Sequence, residues 1–307
     1  MSAIRKFALR PVPPFDFELS ARIFCDGDRQ IRKFENGRFF QALRVNDKLL
    51  LITIESRGTI DEPKLCVTLE DEDVSTRELK KAAEVASSLF NTKLDLNPFY
   101  AEVKKDKTFT RLLKKLRGLR SPTTPTVFEA LVDSIVEQQI SLNVANSLER
   151  KLVKTFGDKL MIHDETYFVY PTPQRLAKTS IEQLRKVGLS SRKAEYIKEV
   201  SDLVAEGKLD LEQLKRLTDS DKIITELDRI RGIGVWTAEL TMIRGMQKWD
   251  ALPADDLGLR RTISHYYSHD RKISSEETRR IAQKWGRWKG LAAYYLIVAA
   301  GIEEETA

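Results

Sequence analysis

Between residues 38 and 70 apolar and polar positions alternate. "ALRVNDKLLLITIES" (42–56) is two apolar runs around Asn46-Asp47, and "KLCVTLE" (64–70) alternates with period two. Successive side chains of a strand point to opposite faces, so the pattern predicts strands, with a hairpin at Asn46-Asp47. Asp26-Gly27 and Asn36-Gly37 add two turn signals. Over 76–90 the period changes, and Leu79, Ala82, Ala83, Ala86 and Leu89 share one side of a helix. The first ninety residues are expected to be α+β, with an antiparallel sheet.

After about residue 97 the period-two signal fades. "DKTFTRLLKKLRGL" (106–119) is a basic amphipathic stretch, and "SPTTPT" (121–126) reads as a Pro/Thr linker. Phe128, Leu131, Val132, Ile135 and Val136 then recur at helical spacing. Further helices are predicted around 144–156, 180–187, 190–206, 219–230, 236–246, 257–267, 276–285 and 290–301. This region is therefore expected to be all-α, and the chain to divide into 1–96 and 97–307. No internal repeat is visible, and the tail "IEEETA" is expected to fray.

Composition narrows the class. Apolar residues make up 41% of 307, an ordinary proportion for a soluble protein. The longest apolar run, 291–302, is too short to span a bilayer and is expected to form a core helix. The N-terminus, "MSAIRKFALRPVPP", has no secretory apolar segment before its prolines. Cys25 and Cys66 are too few for a disulfide framework or a four-cysteine cluster, and are expected in sheet cores. A cytoplasmic, reducing location is expected. The net charge of +6 suits a polyanionic partner such as nucleic acid without demanding one.

One stretch concentrates the chemistry. "DSDKIITELDRI" (219–230) and "WTAELTMIRG" (236–245) read as helices broken by Gly232-Ile233-Gly234. Both glycines can take positive φ, and Ile233 can tuck back between the helices. The amides opening the second helix, around Val235 and Thr237, would then face outward and suit a phosphate. A tight corner between two helices, with no ligand, has the same pattern. Next, "DALPADDLGLRR" (250–261) places Asp255 and Asp256 before a helix. Helix capping explains such acids, and so does a reactive carboxylate beside a phosphate-binding hairpin. His265 and His269 have metal-ligand spacing, but no third ligand is near, so they are read as surface residues.

Taken together, these segments resemble the helix–hairpin–helix DNA glycosylases with a Gly/Pro-rich loop and an aspartate, in particular their 3-methyladenine DNA glycosylase II branch. "GIGVWTAE" (232–239) is similar to that branch's hairpin and "LPADDLGLRR" (252–261) to its aspartate loop. "EQQIS" (137–141), "YPTPQRLA" (170–177) and "WGRWKGLAAYYL" (285–296) resemble further segments in the same order, so the likeness covers most of the chain. The N-terminal α+β region resembles the domain of this branch that is similar to half of TATA-binding protein.

The resemblance implies an all-α glycosylase fold of two helical subdomains with a cleft between them. It implies removal of alkylated purines, of the 3-methyladenine and 7-methylguanine type, from double-stranded DNA. Asp256 is the implied catalytic residue, and Trp236, Tyr294, Tyr295 and Gln138 the implied substrate contacts. Gly232, Ile233, Gly234, Val235, Thr237 and Gln139 are the implied DNA contacts, with Gln139 at the wedge position.

Bifunctional relatives carry a lysine where this chain has Trp236, so no lyase activity is expected. No cofactor is required by the resemblance. A monovalent cation, Na+ or K+, is implied on the carbonyls of Asp228, Ile230 and Ile233. A monomer acting in the cytoplasm at a prokaryotic nucleoid is expected. Leu240 and Ile297 depart from the branch's aromatic pattern, which leaves open oxidised or deaminated purines; a non-enzymatic protein that binds damaged DNA through the same hairpin is the alternative of another class.

Overall fold

The computed structural model describes residues 4–25, 27–70 and 74–305. The chain opens with five strands: β1 (Ile4–Leu9), β2 (Arg32–Glu35), β3 (Arg38–Val45), β4 (Lys48–Ser56) and β5 (Leu65–Glu70). They form one antiparallel sheet in the order β1-β5-β4-β3-β2. Two turns lie where the sequence predicts them. Asn36 and Gly37 join β2 to β3 with φ of 51° and 73°, and Asn46 leaves β3 with φ of 56°. Asn tolerates this left-handed region better than most side chains. The third turn signal includes Asp26, which lies outside the described residues.

The register Phe39↔Ile54, Leu43↔Leu50 puts Phe39, Leu43, Leu50, Ile52 and Ile54 on one face. The helices Phe17–Phe24 and Thr76–Leu89 pack there through Phe17, Ala21, Ala82, Ala86 and Leu89. Of the two cysteines expected in sheet cores, Cys25 packs half-buried against this one and Cys66 does not. Cys25 closes the first helix, and Cys66 lies half-buried on β5 among residues facing the other way. Burial pushes the Cys25 thiol up to about 12.

The region expected to be all-α contains a β-hairpin, β6 (Asp158–Ile162) and β7 (Glu165–Val169). Its two-residue turn is His163-Asp164, both at positive φ, without the glycine that flags such turns in sequence. The hairpin covers the second face of the N-terminal sheet: Leu160, Ile162, Tyr167 and Val169 pack on Phe40, Ala42, Leu49 and Leu51. Lys33–Glu165 and His163–Glu70, at 2.7 and 2.6 Å, and Arg44–Asp158 pair along its rim.

The helices build two cores. One includes Val127–Glu137, Leu142–Phe156, Ser191–Ala205, Ser220–Asp228 and Val235–Met246. The other includes Asn97–Val103, Lys107–Leu116, Leu257–Tyr267, Ser275–Ala282 and Lys289–Glu305. Ile243 packs against both. Trp249, Trp285 and Trp288 are buried in the second core. The "SPTTPT" segment is a buried strap: Thr123 N–H donates to Leu89 O and Thr124 N–H to Arg244 O, each at 2.9 Å. Beside it the fully buried Arg120 donates to the carbonyls of Val12, Pro14 and Leu94.

The helix predicted over 276–285 stops at Ala282 and continues as a 3-10 turn, because Gly286 takes φ of 51°. At the tail, 302–305 stay helical and 306–307 lie outside the described residues. Among the described residues no helix is long and apolar enough to cross a membrane.

Candidate functional site

The two glycines of the hairpin do different work. Gly232 takes φ of 86°, and a side-chain carbon there would stand 2.3–2.5 Å from the Tyr196 ring. Conformation and space both demand glycine. Gly234 is extended instead, φ −94° and ψ 179°, and a side-chain carbon there would meet nothing within 4 Å. Of the two glycines able to take positive φ, Gly232 alone does so, and Gly234 leaves the helix start bare. Ile233, 2% exposed, tucks into the first helical core as expected. It can offer a ligand only main-chain atoms.

No side chain caps Gly234. The first amides of Val235–Met246 have no acceptor within the helix, and they sit at its positive end. A helix start of this kind suits an anion such as a phosphate. Val235 flanks it, exposed.

Two implied contacts turn inward. Thr237 is buried, and its Oγ1 accepts from Gln138 Nε2 at 2.9 Å. The same Nε2 donates to Gly232 O at 2.8 Å. Thr237 is therefore no DNA-facing side chain, and Gln138 is a brace that ties the end of Val127–Glu137 to the hairpin turn. Gln139, one residue on, is exposed with φ of 58° and projects where Gln138 does not.

Asp256 is the N-cap of Leu257–Tyr267, and its Oδ1 accepts the Leu259 amide at 2.7 Å. Its own N–H donates to Pro253 O at 2.9 Å. The carboxylate is half-buried, and among the described residues no hydrogen bond engages Oδ2. Capping and chemistry are thus compatible: the cap fixes the rotamer and leaves one oxygen uncommitted. Asp255 is exposed and faces the charge of Arg279.

Trp236 stands in the first turn after the hairpin, half-buried and outside both helical cores. One turn on, Glu239 is 4% exposed and pairs with Arg279 through two bonds of 2.8 and 2.9 Å. Sequence reading missed this pair. Its only signal is an acid on the otherwise apolar side of "WTAELTM".

The C-terminal aromatics separate. Tyr295 is fully buried, its ring 5.0 Å from Phe99 and its hydroxyl donating to Leu119 O at 2.7 Å. This is core packing, and the expected substrate contact does not hold for Tyr295. Tyr294 is half-buried, and burial holds its hydroxyl pKa well above the usual range. That hydroxyl is enclosed yet has no hydrogen-bond partner among the described residues. Ile297 is exposed and Leu240 half-buried. Arg260 turns onto Ile273 O at 3.1 Å, and Arg261 is exposed.

The donor set at the turn suits a monovalent cation. Asp228, Ile230 and Ile233 offer neutral carbonyl oxygens at the end of one helix and the start of the next. Ile230 O already accepts Ile233 N–H at 3.0 Å, which leaves it a second lone pair. Among the described residues no three His, Cys, Asp or Glu side chains group to hold a metal ion. His265 pairs with Asp270 at the surface.

A family model described as HhH-GPD superfamily base excision DNA repair protein matches residues 132–287, which span the brace, the hairpin and the aspartate loop. The chain belongs to this superfamily. Among the chain's relatives, the DNA-3-methyladenine glycosylase of Bacillus subtilis is 34% identical over 67% of this chain and 68% of its own. DNA-3-methyladenine glycosylase 2 of Escherichia coli is 27% identical over 62% and 64%. The solved 3-methyladenine DNA-glycosylase from Archaeoglobus fulgidus is 26% identical, with a TM-score of 0.83 over 95% of this chain and 97% of that one. An 8-oxoguanine glycosylase/lyase from Clostridium acetobutylicum, 21% identical with a TM-score of 0.76, shares the HhH-GPD fold.

Proposed function

We propose that this protein is a monofunctional DNA glycosylase that releases alkylated purines from duplex DNA and leaves an abasic site. The observation that carries the proposal is Asp256, held by its cap with Oδ2 uncommitted, following an uncapped hairpin in an HhH-GPD chain.

The hairpin amides of Val235–Met246 grip a phosphate without reading sequence. The carbonyls of Asp228, Ile230 and Ile233 would hold a Na+ or K+ ion, which would supply positive charge for binding phosphate. The damaged nucleotide is flipped out of the helix, and Gln139 fills the space it leaves. The glycosidic bond then breaks through an oxocarbenium-like transition state. Asp256 stabilises that cation and orients the attacking water. An alkylated purine already carries positive charge, so its departure needs no strong acid. The half-exposed indole of Trp236 offers a π face to the cationic base, worth roughly 0.5–2 kcal/mol. Trp236 has no amine, so the Schiff-base route of lysine-bearing relatives is closed to it.

Base release from methylated duplex DNA, followed by chromatography, tests the proposal. The wild type should free 3-methyladenine or 7-methylguanine and leave strands uncut until alkali is added. Asp256→Asn should lower the rate by about 10²–10³-fold. Asn caps helices as well as Asp, so the fold is retained. An unchanged rate in Asp256→Asn would remove the proposed mechanism. Binding without release, across alkylated, oxidised and deaminated purines, would make the protein a damage binder instead.

A further inference from the structure

Between the helices Val235–Met246 and Leu257–Tyr267 the chain runs through residues 247–256, which deliver Asp256. The end of this segment is stiff. Ala254 N–H donates to Leu252 O at 2.7 Å, and Asp256 N–H to Pro253 O at 2.9 Å. Leu252, Pro253 and Ala254 are all buried. Residues 252–256 therefore move as a unit, and where Asp256 points depends on how that unit is anchored.

Upstream, the segment is tied by main-chain bonds. Lys248 N–H donates to Met242 O at 3.0 Å, and Trp249 O accepts Gly290 N–H at 2.7 Å. A side chain on Gly290 would collide with Ala251 O at 2.6 Å, so the helix Lys289–Glu305 lies directly against the segment. The tie at the stiff unit itself is a side chain. Glu239 Oε1 accepts Leu252 N–H at 3.4 Å. That contact is long and alone would hold little. What fixes the carboxylate is its second partner. Arg279, on Ser275–Ala282, grips both Glu239 oxygens with the parallel geometry that makes arginine–carboxylate pairs directional.

Glu239 also follows Trp236 by one helical turn, so the two occupy neighbouring positions on one helix side. The same carboxylate thus meets the helix that carries the indole, the unit that carries Asp256, and a third helix. Charge adds a second requirement. Arg279 lies close enough to Asp255 for the two charges to interact. A guanidinium freed from Glu239 would swing toward the Asp255-Asp256 pair and compete for the carboxylate that must face a developing cation.

We propose that Glu239 and Arg279 are positioning residues, which lock the 252–256 unit to the hairpin helix and keep the Arg279 charge away from Asp256. The proposal rests on Asp256 being the catalytic group. Neither residue need touch DNA.

The test is single-turnover release of 7-methylguanine from a methylated duplex, with enzyme in excess. The rate is recorded together with the folded fraction by circular dichroism and the Kd for a duplex carrying an abasic-site analogue. Displacing a reacting group by about 1 Å can cost roughly 10²-fold. Glu239→Gln and Arg279→Gln should therefore slow release by about 10–100-fold, at an unchanged folded fraction, with Kd within about threefold of wild type. Glu239→Gln/Arg279→Gln should be no slower than Glu239→Gln, because the misplaced charge is gone. A structural role alone would lower the folded fraction read by circular dichroism and leave the rate constant of the folded enzyme at saturation. A wild-type rate in both single variants, or losses that multiply in the double variant, would overturn the proposal. Absence of release by the wild type would instead remove the glycosylase function on which it rests.

Discussion

Replacing Gly232 by alanine separates the two jobs of the hairpin glycines. At φ of 86° an L-residue pays about 1–2 kcal/mol for the left-handed conformation. The new methyl would also lie 2.3–2.5 Å from three atoms of the Tyr196 ring, well inside contact distance. Forced overpacking of this kind costs about 1–3 kcal/mol. The sum, roughly 2–5 kcal/mol, is a large share of a typical total stability of about 5–15 kcal/mol. A melt monitored by circular dichroism reads it, at about 2–4 °C per kcal/mol for a large domain.

Gly232→Ala/Tyr196→Ala should recover the overlap part and leave the conformational part, a coupling of about 1–3 kcal/mol in a double-mutant cycle. Gly234→Ala is the contrast. Its backbone suits any residue and its surroundings are open, so the stability cost should stay below about 1 kcal/mol, the penalty for alanine at a cap. Its methyl instead blocks the approach to the helix start, and affinity for duplex DNA should fall. If Gly232→Ala melts within 2 °C of wild type, by roughly the same conversion, the steric argument is refuted. If Gly234→Ala binds DNA as the wild type does, the open approach is not the phosphate site.

Two further outcomes follow from buried polar groups. Burial raises the Glu129 carboxyl to about 8, against the opposing pull of Arg32, and also raises Asp133. The stability gained from neutral Glu129 is full below the ordinary carboxylate range and is lost as pH rises through about 8. Wild-type melting temperature should therefore fall across this window, and Glu129→Gln should flatten the fall without abolishing it. Identical slopes would remove Glu129 as the cause. Gln138→Leu strands Gly232 O and Thr237 Oγ1, which should cost about 1–3 kcal/mol of stability and weaken DNA binding through the hairpin. Unchanged stability with lost base release would return Gln138 to the substrate.

The parts of the site legible in sequence were those whose function and local geometry coincide in a few consecutive residues. Gly232 stands out because its turn excludes other residues, and Asp256 because a cap and a carboxylate occupy one position. The parts that escaped depend on distant partners. Gln138 is defined by bonds to residues 94 and 99 positions away, and Glu239 by an arginine 40 positions away. Neighbouring tyrosines look alike in a string, yet the helix turns Tyr295 into the core and leaves Tyr294 at its edge. The β6–β7 hairpin escaped for another reason. Its turn uses His163-Asp164, and the outer positions of β6, Lys159 and Met161, are exposed, while Phe168 on β7 is buried on the face opposite Tyr167, which blurs the alternation.

That hairpin changes what the N-terminal sheet can be used for. In architectural proteins such as TATA-binding protein a broad, bare sheet face lies in a widened minor groove. Here the corresponding surface over β3 and β4 is occupied by Tyr167, Val169, Leu160 and Ile162, and sealed at its edge by lysine, arginine and histidine pairs. The saddle is already ridden by the protein's own chain. The work of the sheet here is to serve as a fixed flank of the helical body. An attempt to transplant it as an independent module would carry away a surface that is apolar by design and covered by residues left behind.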